Sequence, residues 1–105
     1  MSRVVITLPA YRAEHTLEKT VADIPPGVAD EVILVDDATI LAGLRFALTR
    51  LKQVIEPAGS AALGATLAGR IPIRDGERVA IVLSGGNVEV TRLGELIERA
   101  AVIPA

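Results

Sequence analysis

Apolar and polar residues fall into blocks along this chain, and the block at Arg78–Asn87 organises the others. Val79-Ala80-Ile81-Val82-Leu83 is an unbroken apolar run that leads into Ser84-Gly85-Gly86-Asn87, with a helical pattern following from about Thr91. Such a run reads as a strand buried on both faces, the kind found in the middle of a parallel sheet. Val4-Val5-Ile6-Thr7-Leu8 reads the same way and closes at Pro9, which has no N–H to give a ladder. Val32-Ile33-Leu34-Val35 is a further strand, and Lys52-Gln53-Val54-Ile55 a short one.

Helical spacing fills the intervals. From Ala13, residues Leu17, Val21 and Ile24 share a stripe, and Pro25-Pro26-Gly27 ends it. A second stripe, Ile40, Leu44, Ala47, Leu48 and Leu51, predicts a helix over about Thr39–Arg50. Gly43 inside it costs about 1 kcal/mol relative to alanine unless another backbone packs close there. Ala61–Ala68 is small and apolar nearly all round, with Gly69 as its C-cap, and Leu93, Leu96, Ile97 and Ala100 mark the last helix, about Thr91–Ala101. The order is βαβαβαβα. It predicts an α/β fold in one domain: a four-stranded, mostly parallel sheet with right-handed crossovers and helices on both faces, a Rossmann-like three-layer sandwich. Val4–Leu8 and Val79–Leu83 are expected at its centre.

Composition narrows the functional classes. The chain has 105 residues, half of them hydrophobic, but its aromatics are only Tyr11 and Phe46, so aliphatic side chains must build the core. A formal charge of −2 with both signs interspersed gives no electrostatic case for nucleic acid or membrane binding. With no cysteine and His15 as the single histidine, neither a disulfide framework nor a metal site is expected. No apolar run approaches a membrane span and the opening residues do not read as a signal peptide, so the expectation is a soluble, cytoplasmic protein.

Two resemblances divide the chain. Val4–Tyr11, Ala13-Glu14, Leu17–Thr20, Ala22–Pro25 and Asp30–Asp37 resemble the opening of a family-2 glycosyltransferase of the dolichol-phosphate-sugar synthase type. That resemblance implies that the first turn and the aspartates Asp36 and Asp37 would hold the nucleotide of a sugar donor. Arg12 stands where that family usually has asparagine, and the family's later acidic metal motif and catalytic base are missing. From about Ile40 to Ala101 the chain is similar to the C-terminal part of threonine dehydratases, fold-type II pyridoxal-phosphate enzymes. Leu51–Gly59, Ala61-Ala62-Leu63, Leu67-Ala68-Gly69 and Val79–Val88 carry this similarity. It implies that Ser84 would meet the pyridine nitrogen of the cofactor. The Schiff-base lysine and the glycine-rich phosphate loop belong to parts not present, and Lys19 and Lys52 sit in the wrong contexts to replace that lysine.

Taken together, the expectation is a chimera, designed or recombined, with its junction near residues 36–39. It should have no catalytic function and no cofactor, and its role should be structural. The alternative is a weak phosphate- or nucleotide-binding module at the carboxyl edge of the sheet, where parallel folds bind ligands. Candidate residues there are Ser84, Gly85, Gly86 and Asn87 as an anion-binding turn, Arg12 as an anion contact, and Gly59 and Ser60 at a helix start. Asp36 and Asp37 could hold a ribose or a metal, or simply cap the next helix. Glu56 could act as an acid or base but has no evident partner. An adventitious phosphate or sulfate would suit such a site. A homodimer is expected to bury either Ala61–Ala68 or the Val102-Ile103 tail.

Overall fold

The computed structural model describes residues 3–10 and 17–103. Tyr11, Arg12 and His15, and the expected helix start at Ala13, lie outside the described residues. The described chain is an α/β structure with one two-stranded parallel sheet and four helices. No helix among the described residues is long and apolar enough to cross a membrane.

Strand β1 (Val5–Pro9) pairs in parallel with β2 (Glu31–Val35), in register from Val5 opposite Glu31 to Pro9 opposite Val35. Both ends are tied. The Asp30 amide donates to Val4 O at 2.8 Å, the Val4 amide donates to Asp30 Oδ2 at 2.7 Å, and the Ala10 amide donates to Val35 O at 2.9 Å. Helix α1 (Leu17–Ala22) lies in the connection. Alternation along the strands places Val5, Thr7, Ile33 and Val35 on one face and Ile6, Leu8, Val32 and Leu34 on the other. The first face closes a small core of Ile33, Val35, Ile40, Ala61 and Ala65, with Val5 against it.

Helix α2 (Asp37–Phe46) follows β2 and runs on into a π-helical turn, Ala47–Leu51. Lys52 takes the left-handed conformation at φ 57°, and the Gln53 amide donates back to Ala47 O at 3.0 Å. A 3₁₀ turn, Pro57–Ser60, starts with proline at a position that needs no donor and leads into α3 (Ala61–Leu67). The backbones of α2 and α3 touch: a Cβ on Gly43 would sit 2.7 Å from Gly64 N, and one on Gly64 would collide with Thr39 O. The cost of Gly43 is therefore offset by a close approach that no side chain would allow. Leu44, Ala47, Ile55, Leu63, Leu93 and Leu96 form the larger core, joining α2 and α3 to α4 (Val90–Arg99). Arg45 Nη1 donates to Ala100 O at 3.3 Å and to Ile97 O at 3.1 Å, the latter also accepting from the Ala100 amide, which ties the end of α4 to α2.

Three expectations change. The four-stranded sandwich does not form among the described residues, because Lys52–Ile55 and Val79–Leu83 join no ladder. The left-handed Lys52 spends the first of these segments on ending a helix. In the second, Ile81 and Leu83 pack against the larger core while Val82 is 78% exposed, so the run is buried on one side only. Its place beside β1 is taken by an open cleft. Helix α3, whose all-round apolar character fits either tight packing within the chain or a dimer surface, is sandwiched inside the chain: Ala61, Leu63, Gly64 and Ala65 are all buried. At the tail, Val102 is exposed and Ile103 half-buried.

Candidate functional site

The carboxyl-edge turns meet at one place. The Glu56 amide donates to Gly85 O at 2.9 Å, which pins the start of the Pro57–Ser60 turn to Ser84–Asn87 across nearly thirty residues of chain. Gly59 packs so closely that a Cβ there would collide with the Ser84 carbonyl. Gly85 has φ +77°, which favours glycine, and a Cβ on it would strike the Glu56 carboxylate. The turn that could have cradled an anion therefore has a carboxylate of its own chain lying against it. Such a neighbour repels an anion at Gly85 itself and moves any anion contact out toward Ser84.

Ser84 faces a cleft of about 690 Å³ between β1, the start of α3 and the Arg78–Ser84 segment. Its polar lining includes Arg3, Thr7, Glu77 and Arg78. Arg3 Nη2 donates to Pro72 O, and Glu77 Oε1 accepts from the Arg74 amide at 2.6 Å. Two guanidinium groups against one carboxylate leave the cleft with a positive excess. Its lining includes no lysine. Lys19 lies in α1 and Lys52 at the end of the π turn, both exposed.

The remaining candidate residues part company. Ser60 is fully buried, with Oγ 2.9 Å from Ile40 O and 2.7 Å from Pro57 O. Its one proton links α2 to the 3₁₀ turn and points away from solvent. Asp36 stands at the N-cap of α2 without a bond from its side chain to the helix amides. Its carboxylate instead accepts from the Thr39 hydroxyl and faces Arg70 Nη1 at 3.9 Å in an exposed ion pair. Asp37, in the first turn of α2, lines a second cleft of about 470 Å³ with Arg92 and Arg99. Gly86 and Asn87 are exposed at the turn, and Arg12 lies outside the described residues. No group of three His, Cys, Asp or Glu side chains among the described residues could hold a metal ion.

Sequence reasoning missed Arg3, Thr7 and Arg78 as cleft residues. Arg78 carried a usable signal, since a charge immediately before an apolar run sits at that run's mouth. Arg3 and Thr7 carried none, because only the fold brings them opposite a segment more than seventy residues later.

No protein-family model matches the chain, and no solved structure matches it. Several curated proteins do. The L-threonine ammonia-lyase of Geobacter sulfurreducens is 37% identical over 75 residues, covering 71% of this chain and 18% of its own length. The L-threo-3-hydroxyaspartate ammonia-lyase of a Pseudomonas species is 33% identical over 69 residues, or 66% of this chain and 21% of its own. A catabolic L-threonine dehydratase of Staphylococcus aureus is 31% identical over 100 aligned positions, covering 81% of this chain and 29% of its own. A match across 81% of 105 residues has to take in Glu31–Val35 wherever it begins, so the likeness reaches upstream of Ile40. The chain is thus similar to threonine dehydratases and related ammonia-lyases over most of its length, and it spans about a fifth to three-tenths of the relatives it matches.

Proposed function

We propose that this chain is a dehydratase-like fragment that catalyses nothing by itself and binds small phosphate-bearing anions weakly in the cleft beside Ser84. The observation that carries the reading is the cleft lining. Ser84, Arg78 and Arg3 surround it, and no lysine is among its described lining residues to form an imine. The lining does not fit pyridoxal phosphate as a covalently held cofactor. Arginine offers planar, paired donors suited to a phosphate, and the Ser84 hydroxyl can bond a ring nitrogen or an oxygen. The open mouth and exposed lining keep the affinity low, because water competes for every donor.

The glycosyltransferase-like opening, Arg3 to Asp37, supports a further part of this reading: two pieces of different parentage, meeting near residues 36–39, complete one core. The smaller core draws Ile33 and Val35 from one side of that point and Ile40, Ala61 and Ala65 from the other.

Titrating pyridoxal phosphate, and separately inorganic phosphate, into isotope-labelled protein tests the binding site. Saturable shifts are expected at the Arg78 and Ser84 amides with both ligands, weakened in Arg78→Ala, and with no imine absorbance. An imine band, or shifts confined to residues outside the cleft, overturns the reading.

A further inference from the structure

The cleft beside β1 has an unpaired stretch of backbone on each of two walls. On the first, β2 is the one strand that pairs with β1 among the described residues. The Val4 carbonyl and the Ala10 amide both bond to β2 partners, so the peptide groups of the even-numbered β1 residues face β2. Those of Val5 and Thr7 therefore face the opposite edge, and both residues line the cleft. On the second wall, the chain runs from Glu77 to Leu83 without a turn or bend. Among the described residues, no backbone hydrogen bond involves Arg78–Leu83.

Two unpaired edges around one space form a template for an added strand. The space has a matching size. A strand takes about 3.3 Å along its axis, about 4.8 Å across to its neighbour and about 10 Å through the layer, roughly 160 Å³ per residue. The cleft, at about 690 Å³, thus admits about four residues. Ala58, Gly59 and Ala62 line it with little bulk, which leaves room for incoming side chains. Val79 and Ile81 add apolar wall, while Arg3 and Arg78 outnumber Glu77.

We propose that an extended segment of a partner protein enters this cleft as a strand between β1 and Val79–Leu83, apolar along its length with acidic residues at one end. Its peptide groups pair with Val5 and Thr7 on one side and with Val79–Leu83 on the other, and its carboxylates meet Arg78 and Arg3. A small phosphate, by contrast, uses Arg78 and Ser84 but neither backbone edge, so the two kinds of ligand differ in the amides they protect.

A capped peptide copying Asp30–Val35 is a suitable probe, with two acidic residues ahead of an apolar run whose backbone already pairs with β1. Titrated into the isotope-labelled whole chain, it should bind saturably below about 1 mM. The amides of Val5, Thr7 and Val79–Leu83 should slow in hydrogen exchange, and inorganic phosphate should slow none of them. Thr7→Pro removes a cleft-facing amide and no ladder bond to β2, and should raise the peptide's Kd about tenfold. Arg78→Glu should raise it about fivefold at low salt, and less as salt is added. If Thr7→Pro does not fold, the same peptide N-methylated at alternate amides makes the equivalent cut from the ligand side and should bind about tenfold more weakly. Binding that protects neither edge, or that N-methylation leaves unchanged, overturns the proposal, as does no binding at about 1 mM. Protection of Val79–Leu83 before any peptide is added also overturns it, since the run would then pair with β1 itself. Phosphate shifts at Arg78 and Ser84 without peptide binding overturn it too, while leaving the anion site in place.

Discussion

Val4–Leu8 and Val79–Leu83 are near copies in pattern, each a five-residue, mostly β-branched apolar run ending at a chain breaker, yet only the first becomes part of a strand. The first finds its partner nearby. A short helical connection returns the chain to β2, and the Asp30 and Ala10 amides lock both ends of the ladder. The second has no such neighbour. Just past its end the Glu56 amide donates to Gly85 O, and the cleft separates it from β1. Its side chains still obey the hydrophobic effect, with Ile81 and Leu83 inward on the larger core. Apolar character decides what a segment buries; only a neighbouring backbone makes it a strand.

The largest separation between the two runs should appear in amide hydrogen exchange. Amides of the β1–β2 ladder are expected to exchange only through near-global opening, protected on the order of a thousand-fold or more, while those of Val79–Leu83 exchange almost freely. Equal protection of both runs would show that the second pairs after all and would erase the contrast.

Core truncation sharpens the same comparison in stability. Val35→Ala removes a fully buried side chain from β2 and should cost about 1.5–3 kcal/mol. Ile81→Ala, half-buried, should cost about 1–2 kcal/mol, and the exposed Val82→Ala should stay within about 0.5 kcal/mol. Urea denaturation of the three variants checks the order. A cost for Val82→Ala as large as that for Val35→Ala would mean that this run is buried on both sides.

The smallest effect concerns the β2 end. Arg70 reaches both Leu34 O, at 3.3 Å, and Asp36, but from an exposed position. Arg70→Ala should cost less than about 1 kcal/mol, with the loss shrinking as salt is added. A larger, salt-independent loss in the same denaturation experiment would show that Arg70 braces the edge of the sheet.

Local periodicity was enough to place β1, β2, α2, α3 and α4 to within a few residues, because a helical stripe or an apolar strand is written in neighbouring side chains. It also marked Gly43 as a costly helix position unless another backbone packs close, and only the tertiary structure supplies that backbone, at Gly64. Tertiary packing alone decided which runs pair, which face of Ser60 is inward, and that Glu56 lies against Gly85. Those outcomes depend on distances between segments remote in the chain, and no local pattern carries them. The cleft shows the limit best. Ser84 and Gly59 could be picked out from their glycine turns, but Arg3 and Thr7 join them only because β1 is left without a neighbour on that side.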